Sequence, residues 1–174
     1  TLRTVEGLAV RPISDRLRET LFNILSPRIT KSRFLDICAG SGAVGVEAIS
    51  RGARHSTFID NSRRAYSVIK ANLHTLGIES EAAVINRDAV AALKHLAEEG
   101  RQFDIVFFDP PYASGLYGQV MRALDEQPLL AVDGIVVAEH RAKTPPSDRY
   151  GRLRMYREVR QGESALAFYA EGEA

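Results

Sequence analysis

Between residues 34 and 139, short apolar runs alternate with segments of helical period, and no other feature constrains the fold as strongly. Apolar runs at 34–38, 56–60, 82–86, 103–109 and 134–139 read as strands. Between them the sequence predicts helices through Val44–Gly52, from Ser62 to the stop signal Gly77 with Ile69, Leu73 and Leu76 inward, over Ala89–Glu98 and over Leu116–Glu126. Strands joined this way run parallel with right-handed crossovers. Their nearly continuous apolar character fits burial on both faces. The pattern breaks near the end of the chain. Leu153–Val159 and Ala165–Tyr169 are strand-like and separated only by Gln161-Gly162-Glu163, which predicts a hairpin. Pro145-Pro146 reads as a surface loop before it. The expected fold is α/β, doubly wound, with a mostly parallel seven-stranded sheet ending in an antiparallel hairpin. The chain has 174 residues, one domain's worth, so a single domain over 1–174 is expected. Residues 1–30 supply a basic segment and a helix that Ser14 caps, with Leu17, Leu21, Ile24 and Leu25 on one face and Pro27 ending it.

Composition narrows the class. One cysteine rules out a disulfide framework and a cysteine-built metal site. No run approaches the roughly 18 apolar residues of a membrane span, and no signal peptide is visible, so a cytoplasmic protein is expected. The chain opens on Thr1 rather than Met, and the expectation is that a start segment is missing. The net charge of +1 conceals a pattern: residues 1–33 carry +4, residues 34–140 carry −5, residues 141–160 carry +5 and residues 161–174 carry −3. Of the 23 basic residues, 19 are arginine, whose planar fork pairs with phosphate. Two solvated faces explain such runs equally well.

Asp36-Ile37-Cys38-Ala39-Gly40-Ser41-Gly42-Ala43-Val44-Gly45 joins the first strand to its helix. Glycines at 40, 42 and 45 have the GxGxxG spacing that allows a tight turn, close ligand approach and close helix–strand packing. Asp60 ends the second strand, where a carboxylate can accept from both ribose hydroxyls of a nucleotide. Asp36 suits a ligand carrying positive charge, such as the amino-acid end of S-adenosylmethionine, and would repel a pyrophosphate. Asp88 either accepts from an adenine amino group or caps the next helix.

Asp109-Pro110-Pro111-Tyr112 closes the fourth strand, at the sheet edge where open α/β sheets bind ligands. The prolines stiffen the backbone and remove two N–H donors. A carboxylate beside the Pro110 carbonyl offers two acceptors to the two hydrogens of an exocyclic amino group. Holding both hydrogens and the positive charge developing on the nitrogen favours its attack on a sulfonium methyl. Tyr112 would stack on an extruded or single-stranded base.

Residues 36–45, Asp60 and the tetrapeptide together resemble the class I, Rossmann-like methyltransferases that act on exocyclic amino groups. Arg11-Pro12-Ile13-Ser14-Asp15-Arg16-Leu17-Arg18-Glu19-Thr20-Leu21-Phe22-Asn23, with Ala39–Ala48 and Ser50-Arg51-Gly52-Ala53, is similar to the RsmD family, bacterial enzymes that methylate N2 of a guanine in 16S ribosomal RNA. The resemblance implies S-adenosyl-L-methionine as cofactor, held by Asp36, Ala39, Gly40, Ser41, Gly42, Asp60, Asn61, Asp88 and Ala89. It implies Asp109, Pro110, Pro111 and Tyr112 as catalytic residues. Arg11 and Arg16, with Tyr112, would meet the substrate, either ribosomal RNA or a small-subunit assembly particle. No metal, no membrane and a monomer are expected. Three departures stand out. The family's N-terminal basic strand pair is absent apart from remnants such as Arg3, Ile13-Ser14 replaces a pair of threonines, and Cys38 stands where phenylalanine is common.

Other readings compete. The same tetrapeptide serves adenine N6 in DNA or RNA. An NAD-dependent oxidoreductase shares the fold but has no use for Pro110-Pro111-Tyr112. A non-catalytic RNA-binding module would use only the basic ends. Arg18 can pair internally with Asp15, His55, His74, His95 and His140 have no ligand spacing, and Ser41 lacks a nucleophile elbow.

Overall fold

Ser14 accepts the Leu17 N–H at 3.1 Å and starts helix α1, Asp15–Ile29. The computed structural model describes residues 2–3, 13–111 and 115–172. The helix runs through Pro27 to Ile29 rather than ending there. Proline cannot donate to the carbonyl of Asn23, but both residues are exposed, so water satisfies that carbonyl. Continuing one more turn lets Ile29 pack in the core at 4% exposure.

The predicted alternation follows: β1 (Arg33–Ile37), α2 (Ala43–Ser50), β2 (His55–Asp60), α3 (Arg63–Leu76), β3 (Ala82–Asn86), α4 (Ala89–Glu98), β4 (Phe103–Phe108), α5 (Leu116–Glu126) and β5 (Leu130–Arg141). Three strands end the chain: β6 (Arg149–Tyr150), β7 (Leu153–Gln161) and β8 (Ser164–Glu171). Among the described residues the sheet has eight strands, in the order β3-β2-β1-β4-β5-β8-β7-β6, where the sequence predicts seven. The additional strand is β6, whose two residues pair with β7 around a Gly151 turn at φ +61°. Two residues are too few to show alternation in a sequence. Strand β5 also starts four residues earlier than expected, because a register irregularity against β4 and a positive φ at Asp133 carry the pairing on to Leu130. Leu76, predicted inward, is 48% exposed, because α3 ends there and Gly77 turns the chain away at φ +68°.

The five strands from β3 to β5 pair in parallel, and β5-β8-β7-β6 are antiparallel. Helices α4 and α5 cover one face with Leu93, Leu96, Val120 and Leu124 against Val106 and Phe108. Helices α1 and α2 cover the other, with Leu21, Leu25, Val44 and Ala48 against Phe34, Ile105 and Phe107. Burying a Leu or Phe contributes roughly 1.5–3 kcal/mol each, so both layers are strongly fixed to the sheet. The strand order reverses between β1 and β4, which opens a crevice at their carboxyl ends. No helix among the described residues is long and apolar enough to cross a membrane.

Candidate active site

Strand β1 ends in a turn that its sequence makes obligatory. Cys38 takes a left-handed φ of +61°, Gly40 lies at +60°, and Gly42, at +83°, stands just before α2. A side chain at Gly40 would meet no atom within 4 Å, so that position leaves the turn open to a ligand. At Gly45 an added Cβ would overlap the ring of Phe58, so this third glycine serves the packing of α2 on β2. The buried Asp36 carboxyl accepts the Gly45 N–H at 3.0 Å. Burial is the main cause that raises its pKa to about 7, with the nearby Asp60 adding and the Gly45 bond opposing. Asp36 thus lies inside the sheet beneath the turn. Asp60 ties the turn to β2 by accepting from the N–H groups of Gly40 and Ser62, both at 2.9 Å. Asn72 holds it from behind, donating to the Ser41 carbonyl at 3.0 Å.

A cavity of about 270 Å³ opens beside the turn. It brings together Asp60, Asn61, Asp88, Ala89, Asp109 and Pro111 of the predicted set, with Cys38, Ile59 and Leu116 as apolar wall. Acceptors at the rim and an apolar slot between them fit a nucleoside, with carboxylates for its hydroxyl and amino donors. Asp88 caps α4 by accepting the Ala91 N–H at 3.1 Å, one of the two readings of that position, and also lines the same cavity. Burial and the surrounding carboxylates push the Cys38 thiol far up, so it stays neutral and acts as wall rather than nucleophile.

Pro111 also lines a second cavity, of about 360 Å³, on its other side, together with Pro110, Tyr117, Glu139, His140 and the loop 144–147. Asp109-Pro110-Pro111 therefore forms a partition between two cavities, Asp109 facing the first, Pro110 the second and Pro111 both. Asp109 follows directly on β4, its N–H donating to the Ile37 carbonyl at 3.4 Å. Its carboxyl is raised well above the usual range by burial first, then by the charge and hydrogen bond of Glu139, then by Asp36. Arg11 and Tyr112 lie outside the described residues.

The basic ends prove less uniform than their charge. Arg18 pairs with Asp15 at 3.2 Å and with Glu47 at 2.9 Å, tying α1 to α2. Arg33 pairs with Asp104, and Arg152 with Asp125. Arg16 is exposed at the start of α1. Thr20, one turn further, accepts from Gln161 at the β7–β8 turn, and Ser164 pairs with Arg141 at the end of β5. These contacts bring Arg16, Arg141 and exposed Lys143 to the same sheet edge as the cavities.

Sequence reasoning missed Leu116 in the wall of the cofactor-sized cavity, Asn72 behind the glycine turn and Glu139 beside Asp109, whereas Cys38, read as a buried small side chain or a neighbour of the cofactor, lines that cavity. The signal for Glu139 was present: a lone acidic residue closes the apolar run Ile135-Val136-Val137-Ala138.

A parallel sheet with a glycine turn after β1, an acidic residue closing β2 and Asp-Pro-Pro closing β4 at the switch point defines a class I methyltransferase. The family model described as Conserved hypothetical protein 95 matches residues 1–170. The chain belongs to that family, the RsmD family of methyltransferases. It is 36% identical over 168 residues to Ribosomal RNA small subunit methyltransferase D of Escherichia coli K12, covering 95% of this chain and 83% of that one. Against the protein of the same name from Haemophilus influenzae the identity is 40% over 141 residues, 80% of this chain and 72% of that one. The solved structure of Escherichia coli yhhF superimposes with a TM-score of 0.84 at 35% identity, over 98% of this chain and 91% of that one.

Proposed function

We propose that this protein transfers a methyl group from S-adenosyl-L-methionine to the exocyclic N2 amino group of a guanine in 16S ribosomal RNA. The observation that carries the reading is the partition: Asp109-Pro110-Pro111 stands between a nucleoside-sized cavity and a second cavity large enough for a base. The bound cofactor supplies an electrophilic methyl on a sulfonium. Asp60 and Asp88 accept from its ribose and adenine, and Gly40 admits it to the turn. Asn61 and Ala89 line the same cavity, Ala39, Ser41 and Gly42 join Gly40 in the turn beside it, and Asp36 holds that turn in place from below. Where the two cavities meet, the target amino group donates to Asp109, which lines the first, and to the carbonyl of Pro110, which lines the second. Asp109 stabilises the charge that grows on the nitrogen, then takes the proton released there. The stacking role of Tyr112 rests on its place in the tetrapeptide.

The relatives' names favour ribosomal RNA of the small subunit as substrate. Arg16, Arg141 and Lys143 at the cavity edge suit its phosphates, with Arg11 assigned there by sequence. The protein acts as a monomer in the cytoplasm, on ribosomal RNA or on an assembling small subunit. Asp109→Ala is expected to lower turnover at least a thousandfold while leaving cofactor affinity within about twofold, because Asp109 acts on the amino group. Equilibrium cofactor binding and single-turnover methyl transfer check this. Normal transfer by the variant would refute the mechanism.

A further inference from the structure

We propose that Glu139 is a positioning residue for this transfer: its carboxyl shares a proton with Asp109 and fixes the Asp109 carboxyl toward the target amino group. The inference rests on the reading of Asp109 as acceptor of the amino hydrogens. Phe108 and Ala138 are register partners on parallel β4 and β5, so Asp109 and Glu139 stand side by side at the strand ends. Strand alternation points both toward the face of Phe107 and Val137, which α1 and α2 cover. Glu139 is 3% exposed, and the two carboxyls lie within hydrogen-bond reach of each other.

Ionised carboxylates only accept hydrogen bonds, so such a contact needs a proton between them. Two buried like charges at this distance cannot both ionise cheaply. The neighbours reinforce this. On β1 lie Asp36, a further acidic charge, and the neutral Cys38 thiol, while Asp60 and Asp88 face Asp109 across the cavity. On β5, His140 points to the opposite face, its Nδ1 2.8 Å from the Arg141 carbonyl. Asp109 borders the cofactor cavity and Glu139 the second cavity, so the pair lies where the two cavities meet. The pair therefore carries one proton and one negative charge between its two carboxyls. With one Asp109 oxygen engaged across the shared proton, the other is left to accept from the amino group.

Two measurements test this. The first needs no activity: in an Asp36→Asn background, which removes that buried carboxyl's own band, infrared difference spectra at neutral pH should show a protonated-carboxyl band that either Glu139→Gln or Asp109→Asn removes. A band that survives both substitutions overturns the proposal. The second is the pH profile of single-turnover transfer. Transfer needs ionised Asp109, so the rate falls as pH drops through the ionisation of the pair. In Glu139→Gln the amide N–H still donates but carries no like charge, so the acid limb should move about one pH unit or more lower. Glu139→Ala loses the donor and should lose at least tenfold in kcat with cofactor affinity kept. An unmoved acid limb in Glu139→Gln together with a wild-type rate in Glu139→Ala would overturn the proposal. Absence of guanine methylation by the wild type would instead sink the substrate reading, and the infrared test would still decide the carboxyl pair.

Discussion

Asp36 shows what one buried carboxyl does to this protein. Its pKa rises from the ordinary 3.8 to about 7 on folding, so the folded state binds a proton that the unfolded state releases. Stability from this group is full below about pH 4 and is lost as pH rises through 7. At 1.36 kcal/mol per pH unit the loss is about 4 kcal/mol as an upper figure. Asp36→Asn keeps an acceptor for the Gly45 N–H, so urea unfolding should show a gain of about 1–3 kcal/mol at pH 8 and little change at pH 4. An equal effect at both would contradict the burial argument. Gly45→Ala should cost about 1–3 kcal/mol by overpacking against Phe58, and Phe58→Leu should recover part of it in a thermal melt. The sequence signalled both positions as motif residues. It did not signal how they work: Asp36 reads as a partner for cofactor charge, yet the structure sets it under the turn, a distinction only packing decides.

At the scale of elements, the alternation of apolar runs and helical periods made nearly every strand and helix from β1 to α5 legible, because each buries a face whose period the sequence must carry. What escaped was short or irregular: two-residue β6, the early start of β5, and the extra turn of α1 beyond Pro27. None of these leaves a periodic signature. Asp88 joins an element to the site, since it caps α4 and lines the cavity. Asp88→Ala should lose about 1 kcal/mol of stability and several-fold in cofactor affinity. Asp88→Ser restores the cap but not the charge, so thermal melts should return to the wild-type midpoint while calorimetric affinity stays weak. Recovery of both by serine would mean that Asp88 only caps.

Across the whole molecule, the small net charge is a balance between an acidic crevice and basic ends, as the sequence showed. The structure divides those ends. Arg18, Arg33 and Arg152 tie elements together, whereas Arg16, Arg141 and Lys143 share the edge of the cavities. If about three phosphates are contacted there, raising salt from about 50 to 200 mM should weaken RNA binding roughly 20- to 40-fold. Arg16→Glu should lower that affinity and flatten its salt slope without changing cofactor binding, and filter binding across a salt series checks both. The central claim is tested most directly by incubating small subunits that lack the modification with methyl-labelled S-adenosyl-L-methionine and identifying the labelled nucleoside by mass. The expected product is N2-methylguanosine in 16S ribosomal RNA, formed by the wild type and not by Asp109→Ala. Labelled N6-methyladenosine, or equal labelling by the variant, would contradict the account.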